Sequence, residues 1–363
     1  MDGKTASHFG FRDATSGGLL SCAERVSRLG YCNRAVRGHD WKSMNCLKPR
    51  LALGLVMGCV ALGLPHAESR AQEKGVLKLQ PGDTIVLLGG TLVEREQRYG
   101  WLETKLNLAL PEAKLKVRNL GWSGDTVFGD ARSYFGPPQE GLDRLKEHLK
   151  MLKPNVVVFC YGADLAFEGL GGLPDFLTGY RKLLDLVRAE TADVELAILA
   201  PPPLESLPKP MPDLTRENRN LESLRDALKK FAQMQNVVFL DGFEIMGGMP
   251  PAGRVKQPLT ENGVHYTEAG YDRFTTALLR SFALTIPEVA TPQFEALRAA
   301  VKRKDALFFN RWRPQNETYL FGFRKHEQGQ NAREVPMFDP LIEKADESVW
   351  KARDEALASA PRP

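Results

Sequence analysis

From residue 82 onward, short apolar-rich runs alternate with longer segments that are apolar along one stripe only. The short runs are residues 84–88, 115–119, 155–160, 195–199 and 237–240. A strand with one face in water alternates polar and apolar side chains, whereas a near-continuous apolar run marks a strand covered on both faces. Between the runs, Leu142, Leu145, Leu149 and Leu152 recur at helical spacing up to Pro154, and Phe176, Tyr180, Leu183 and Val187 follow Pro174. Leu221, Leu224, Leu228 and Phe231 form a further stripe, and Tyr271, Phe274 and Leu278 a last one. Parallel strands need a crossover connection, so this alternation over about 200 residues predicts a three-layer α/β/α sandwich around a central parallel sheet. Working residues in such sheets gather at the carboxyl ends of the strands. That rule puts residues 89–91, 121–125 and 162–164 on one rim, with the loop around His265 as a fourth contributor.

Composition narrows the function classes. At 43% hydrophobic and 26% charged residues the chain is an ordinary folded one, not a disordered one. Residues 1–71 hold 10 Lys and Arg against 5 Asp and Glu, while the remainder holds 39 against 40. A neutral body gives no electrostatic reason to expect nucleic acid or an anionic membrane as partner. Cys22, Cys32, Cys46 and Cys59 precede residue 72, leaving the body only Cys160, which reads as a buried packing residue. An internal disulfide and a cysteine zinc site are therefore excluded from the body. With no ligand cluster and no phosphate loop, the sequence implies no metal and no organic cofactor.

Residues 51–64 are a run of 14 apolar or Gly residues, too short for a membrane span of about 20. Lys48 and Arg50 precede the run, and Ser69-Arg70-Ala71 after it offers a small-x-small cleavage site. Together they predict a signal peptide over residues 44–71, starting at Met44, and export to the periplasm or beyond with no span left after processing. Residues 1–43 lack periodicity and read as an over-long start or a disordered segment. A buried core helix over the apolar run and lipidation of Cys59 are the alternatives. The main domain is expected over residues 75–287. Residues 288–363 form an extension, with a short amphipathic helix (Phe294, Leu297, Val301) and aromatics from Phe308 to Phe323 expected to be buried against the domain.

Five segments carry the chemistry. They are Leu87-Leu88-Gly89-Gly90-Thr91-Leu92, Asn119-Leu120-Gly121-Trp122-Ser123-Gly124-Asp125-Thr126, Tyr161-Gly162-Ala163-Asp164, the loop and helix around Asn218, and Asn262-Gly263-Val264-His265. Their order and spacing over residues 82–285 resemble the SGNH hydrolases, also called GDSL-type esterases. The second segment, similar to the family's Asn-x-x-x-Ser-Gly-Asp-Thr turn, is the most specific. With the Arg311-Trp312-Arg313-Pro314-Gln315-Asn316 tail, the body also resembles an exported subgroup of planctomycete type.

The resemblance implies a flavodoxin-like sandwich and an ester-cleaving site. In the family a Ser attacks the carbonyl, a His takes its proton, an Asp orients the His, and Gly N–H and Asn side-chain donors hold the oxyanion. Carried over, the nucleophile position is Thr91, the Gly donor Gly124, the second donor position Ala163, the orienting position Asn262 and the base His265, with Gly90 and Asp164 also at the cleft. Three of these depart from the pattern. Thr91 keeps a hydroxyl on a branched, stiffer Cβ. Ala163 donates nothing. Asn262 cannot neutralise an imidazolium, although the adjacent Glu261 could stand in. Glu94, Arg95, Trp122, Asp125, Arg311 and Arg313 are candidate substrate contacts. Four of these, and His265, have plainer readings: Glu94 and Arg95 as a solvated helix face, Trp122 as core, Asp125 as a turn cap, and His265 as a helix-start residue. Two functions stay open: an exported hydrolase of an ester such as an O-acylated carbohydrate, and a binding module that keeps the cleft without the chemistry.

Overall fold

The computed structural model describes residues 77–250 and 257–361. The expectations for residues 1–71 lie outside the described residues. Five strands form one parallel sheet: β1 (Thr84–Gly89), β2 (Lys116–Asn119), β3 (Val156–Cys160), β4 (Glu195–Leu199) and β5 (Val238–Leu240), in the order β2-β1-β3-β4-β5. In register, Leu87 lies beside both Asn119 and Val158, so β1 has a neighbour reached from each direction of winding. Chain direction across the sheet reverses between β1 and β3, the point where such sheets open a crevice at their carboxyl ends. Gly89 ends β1 because a Cβ there would lie 2.5 Å from the Cys160 carbonyl oxygen.

Helices cover both faces: α1 (Thr91–Glu96), α2 (Trp101–Ala109), α3 (Pro138–Leu152), α4 (Leu165–Glu168), α5 (Leu173–Glu190), α6 (Thr215–Gln235), α7 (Gly242–Ile245) and α8 (Glu268–Ser281). Alternate strand residues point to opposite layers. Val86, Leu88, Val157 and Phe159 pack under Leu145 and Leu149 of α3, Tyr180 and Leu183 of α5, and Leu224 and Leu228 of α6. Ile85, Leu87 and Leu199 face Leu106 of α2 and Tyr271, Phe274 and Leu278 of α8. This second layer holds a cavity of about 250 Å³. Among the described residues no helix is long and apolar enough to cross a membrane.

The extension consists of α9 (Thr291–Trp312), α10 (Glu317–Leu320), α11 (Lys325–Gln328) and α12 (Phe338–Ala358). Its first helix is 22 residues long, not short as its apolar stripe suggests. Leu297, Ala300 and Val301 of α9 and Val349 and Ala356 of α12 pack around Leu108 of α2. Phe308 and Trp312 are buried as expected, but Phe321 and Phe323 are 52% and 76% exposed, which corrects the expectation that the tail aromatics are uniformly buried. Charge also holds the extension in place. Lys304 Nζ donates to Glu103 Oε2 and Asp305 Oδ1, each at 2.5 Å, and to the Val117 carbonyl at 2.9 Å. Arg118 Nη1 and Nη2 donate to Asp346 Oδ1 and Oδ2 at 3.0 and 2.5 Å. All five charged side chains are buried.

Candidate active site

A cleft of about 280 Å³ opens at the carboxyl ends of β1 and β3. Gly90, Thr91, Arg95, Gly124, Asp125, Ala163, Asp164 and His265 all line it, so the rim read from the sequence comes together in one place. Three local devices shape it. Asn119 Oδ1 accepts from the Gly121 N–H at 2.8 Å while its Nδ2 donates to the Val93 carbonyl at 2.6 Å, binding the turn after β2 to α1. Gly121 has no room for a side chain, since a Cβ would sit 2.4 Å from the Glu94 nitrogen. Gly124 has φ +79°, a conformation that costs a side-chain-bearing residue energy, and its N–H has no acceptor among the described residues.

Two residues clamp the remaining walls. Asn218, fully buried on α6, donates to the Leu204 carbonyl and accepts from the Leu204 N–H at 2.9 and 2.8 Å, fixing the Pro201–Leu204 wall. Glu205 accepts from the Leu259 N–H at 3.0 Å and from the Thr260 N–H and hydroxyl at 2.8 and 2.6 Å, which holds the loop carrying His265. Glu205 had no signal in the sequence beyond its place after a Pro-rich stretch.

Thr91 is the first residue of α1, and its hydroxyl makes no capping bond, as Gly90 is the cap residue. Thr91 Oγ and His265 share no hydrogen bond among the described residues. The contact of His265 with Asn262 is defined in detail. Asn262 Oδ1 accepts from the backbone N–H groups of Val264 and His265 at 3.1 and 2.9 Å. Those two donors require the amide oxygen to face them, so the NH₂ faces the ring, with Nδ2 3.2 Å from His265 Nδ1. Burial first, then the Arg95 charge, hold the His265 imidazolium below its ordinary range. The NH₂ can only donate, so the neutral ring accepts at Nδ1 and carries its proton on Nε2. A general base of this type needs the opposite tautomer. Glu261 does not stand in for the missing carboxylate, because it pairs with Arg95 Nη2 at 2.6 Å.

Several candidate contacts have other partners. Glu94 is buried, lies outside the cleft lining, and accepts from the Ser123 N–H and from Arg313 Nη1, the latter at 3.2 Å. Trp122 is buried, with the Arg313 guanidinium 3.7 Å from its ring centre. Arg311 pairs with Asp339 at 2.7 Å. Neither arginine lines the cleft. Asp125 does line it, and its Oδ2 accepts from Arg132 Nε at 2.7 Å and from the Tyr161 hydroxyl at 3.0 Å. Burial pushes its carboxyl above the ordinary range, with Arg132 pulling the other way. Arg132, fully buried and 5.8 Å from the ring centres of both Trp122 and Trp312, was unmarked in the sequence. Among the described residues no group of three or more His, Cys, Asp or Glu is placed to hold a metal ion.

The family model of the GDSL-like lipase/acylhydrolase family matches residues 82–273, more than half of the chain. The chain belongs to the GDSL-like lipase/acylhydrolase family. The matched stretch runs from β1 into α8 and takes in Thr91, Gly124, Asn262 and His265. Similar solved structures include a catalytic mutant of Axe2, an acetylxylan esterase from Geobacillus stearothermophilus, at 17% identity and TM-score 0.44 over 59% of this chain and 100% of that one. LAE5, an alpha/beta hydrolase enzyme from the metagenome of Lake Arreo, is 18% identical with TM-score 0.41 over 56% of this chain and 96% of that one. A gut microbial diltiazem-metabolizing enzyme is 13% identical with TM-score 0.45 over 58% and 49%. No curated protein matches the chain.

Proposed function

We propose that this protein is an exported hydrolase of a carboxylic ester that works slowly, with Thr91 as nucleophile and His265 as base. The observation that carries this reading is the convergence of the Thr91 hydroxyl, the unpartnered Gly124 N–H and His265 in one cleft. Thr91 Oγ attacks the ester carbonyl and its proton passes to His265 Nε2. The Gly124 N–H meets the oxyanion, the alcohol leaves with that proton, and water then releases the acid from Thr91. Proton uptake at Nε2 requires the other tautomer, so the Asn262 amide must first turn and give up two backbone hydrogen bonds. At about 0.5–1.5 kcal/mol per bond, that cost alone slows turnover by roughly 5- to 150-fold.

The test is hydrolysis of p-nitrophenyl acetate. Thr91→Ala and His265→Ala are each expected to bring the rate down to that of buffer, while Thr91→Ser keeps it or raises it. A Thr91→Ala protein as fast as wild type would end this assignment. The second reading, a ligand-binding module, is favoured by one observation: the Asn262 contact turns His265 into a hydrogen-bond donor toward the cleft. It expects no Thr91-dependent turnover in any variant. Export is proposed from the signal-peptide pattern, and the mature protein is expected to begin near Gln72 on N-terminal sequencing of secreted material. An intact residue 1 on protein retained in the cytoplasm would remove that part.

A further inference from the structure

The cavity of about 250 Å³ between the sheet and helices α2 and α8 adjoins the cleft. Leu92, Cys160 and Tyr271 line both spaces. Leu92 directly follows the proposed nucleophile. In this shared wall the Tyr271 hydroxyl donates to the Leu92 carbonyl at 2.8 Å. Val158 in the middle of β3, between β1 and β4, is only partly buried because its side chain borders this space.

The chemistry of the walls selects the occupant. Leu79, Leu87, Leu106 and Phe274 are typical of the lining. The few polar groups there have local partners: Glu96, whose carboxyl burial pushes up to about 7, accepts from the Leu102 N–H at 2.8 Å through one oxygen, and the Thr275 hydroxyl donates to the Tyr271 carbonyl at 2.8 Å. Burial pushes the Cys160 thiol up to about 12, so it stays uncharged. Water needs two to four polar partners to settle in a cavity, and apolar cavities of about 150 Å³ stay dry and accept small hydrocarbons.

We infer that this cavity receives the hydrocarbon chain of the substrate's acyl group, which makes the substrate an ester of a medium-chain fatty acid rather than an acetate. The inference rests on the cleft's being an ester-hydrolase site. At about 30 Å³ per heavy atom, the space holds on the order of eight carbons. The chain enters past Leu92 when the Tyr271 side chain swings aside.

The experiment is a chain-length series of p-nitrophenyl esters from acetate to laurate, together with calorimetric binding of decanoate to the Thr91→Ala protein. Each added methylene is expected to raise kcat/KM by up to about fourfold, with the rise stopping near eight carbons. Val158→Trp, which fills the cavity and leaves the cleft residues in place, is expected to flatten the series with the acetate rate unchanged and to abolish decanoate binding. If Val158→Trp does not fold, the wild-type series and the decanoate titration decide alone. A flat wild-type series with measurable turnover would overturn the inference, as would an unchanged chain-length preference in folded Val158→Trp. If no ester is hydrolysed, the reading of the cleft as a hydrolase fails, and decanoate then decides separately. Val158-dependent binding keeps the cavity as an acyl-chain site, and no binding removes it.

Discussion

Asn262→Asp is expected to raise hydrolysis of an activated acetyl ester by about 10²- to 10⁴-fold. The exchange swaps one NH₂ for one oxygen and leaves the rest of the turn alone. The first carboxylate oxygen keeps the N–H groups of Val264 and His265, which Asn262 Oδ1 holds at 3.1 and 2.9 Å. The second oxygen takes the place of Nδ2, 3.2 Å from His265 Nδ1, and can only accept. The ring proton therefore moves to Nδ1, Nε2 becomes free to take the Thr91 proton, and the imidazolium that forms is paired with a negative charge. The reverse exchange in a serine protease costs about 10⁴. Ala163 still supplies no oxyanion donor, which holds the gain below that ceiling; Ala163→Asn on top is expected to add about 10²–10³. Thr91→Ala in the Asn262→Asp background should erase the gain. Equal rates for wild type, Asn262→Asp and the Thr91→Ala double variant would show that proton placement at His265 governs nothing in this cleft.

Lys304→Met is expected to destabilise the fold by about 3–5 kcal/mol. The ammonium is fully buried and lies within 2.5 Å of both Glu103 and Asp305. Methionine keeps the shape of the stem but leaves Glu103 and Asp305 in the interior with no nearer cation than Arg118, which is already paired with Asp346. At roughly 2–4 °C per kcal/mol for a chain of this size, the melting temperature should fall by about 6–20 °C. The loss should shrink when Glu103→Leu or Asp305→Leu is added, because the penalty comes from the stranded charge and not from a lost attraction. A melting curve within 2 °C of wild type, read with the approximate scale above, would mean that the cluster is neutral as folded.

The fold was readable because its strands are covered on both faces. Residues 155–160 and 195–199 are apolar throughout after a polar first residue, and the observed strands Val156–Cys160 and Glu195–Leu199 differ from them by one residue at most. Helix α12 was unreadable for the converse reason. Its buried stripe is Ile342, Asp346, Val349, Arg353 and Ala356, so charged residues occupy two inward positions and erase the apolar period. The same limit applies around the cleft. The Gly-rich turns at the strand ends mark where the rim lies, since only backbone can fit at Gly89 and Gly121. What Glu94 would touch was not readable, because its partner Arg313 arrives from 219 residues away. Nor does Asn262 reveal from spacing that its oxygen is already committed to backbone donors.

Arg313 and Trp312 give the tail a consequence for how the protein can be divided. The stretch with family likeness ends at residue 273, inside α8. Yet Glu94, which holds the Ser123 N–H next to Gly124, is itself held by Arg313, and Arg118 and Glu103 find their counter-charges on α12 and α9. The recognisable segment is therefore not a movable cassette. Cut out after α8, it would carry a buried arginine and a buried glutamate without their counter-charges and a Trp122 ring that has lost Trp312 and Arg313. Any transplant, fusion or circular permutation has to take the sequence through Ala358 along with it, so the unit that folds together is longer than the unit that looks alike.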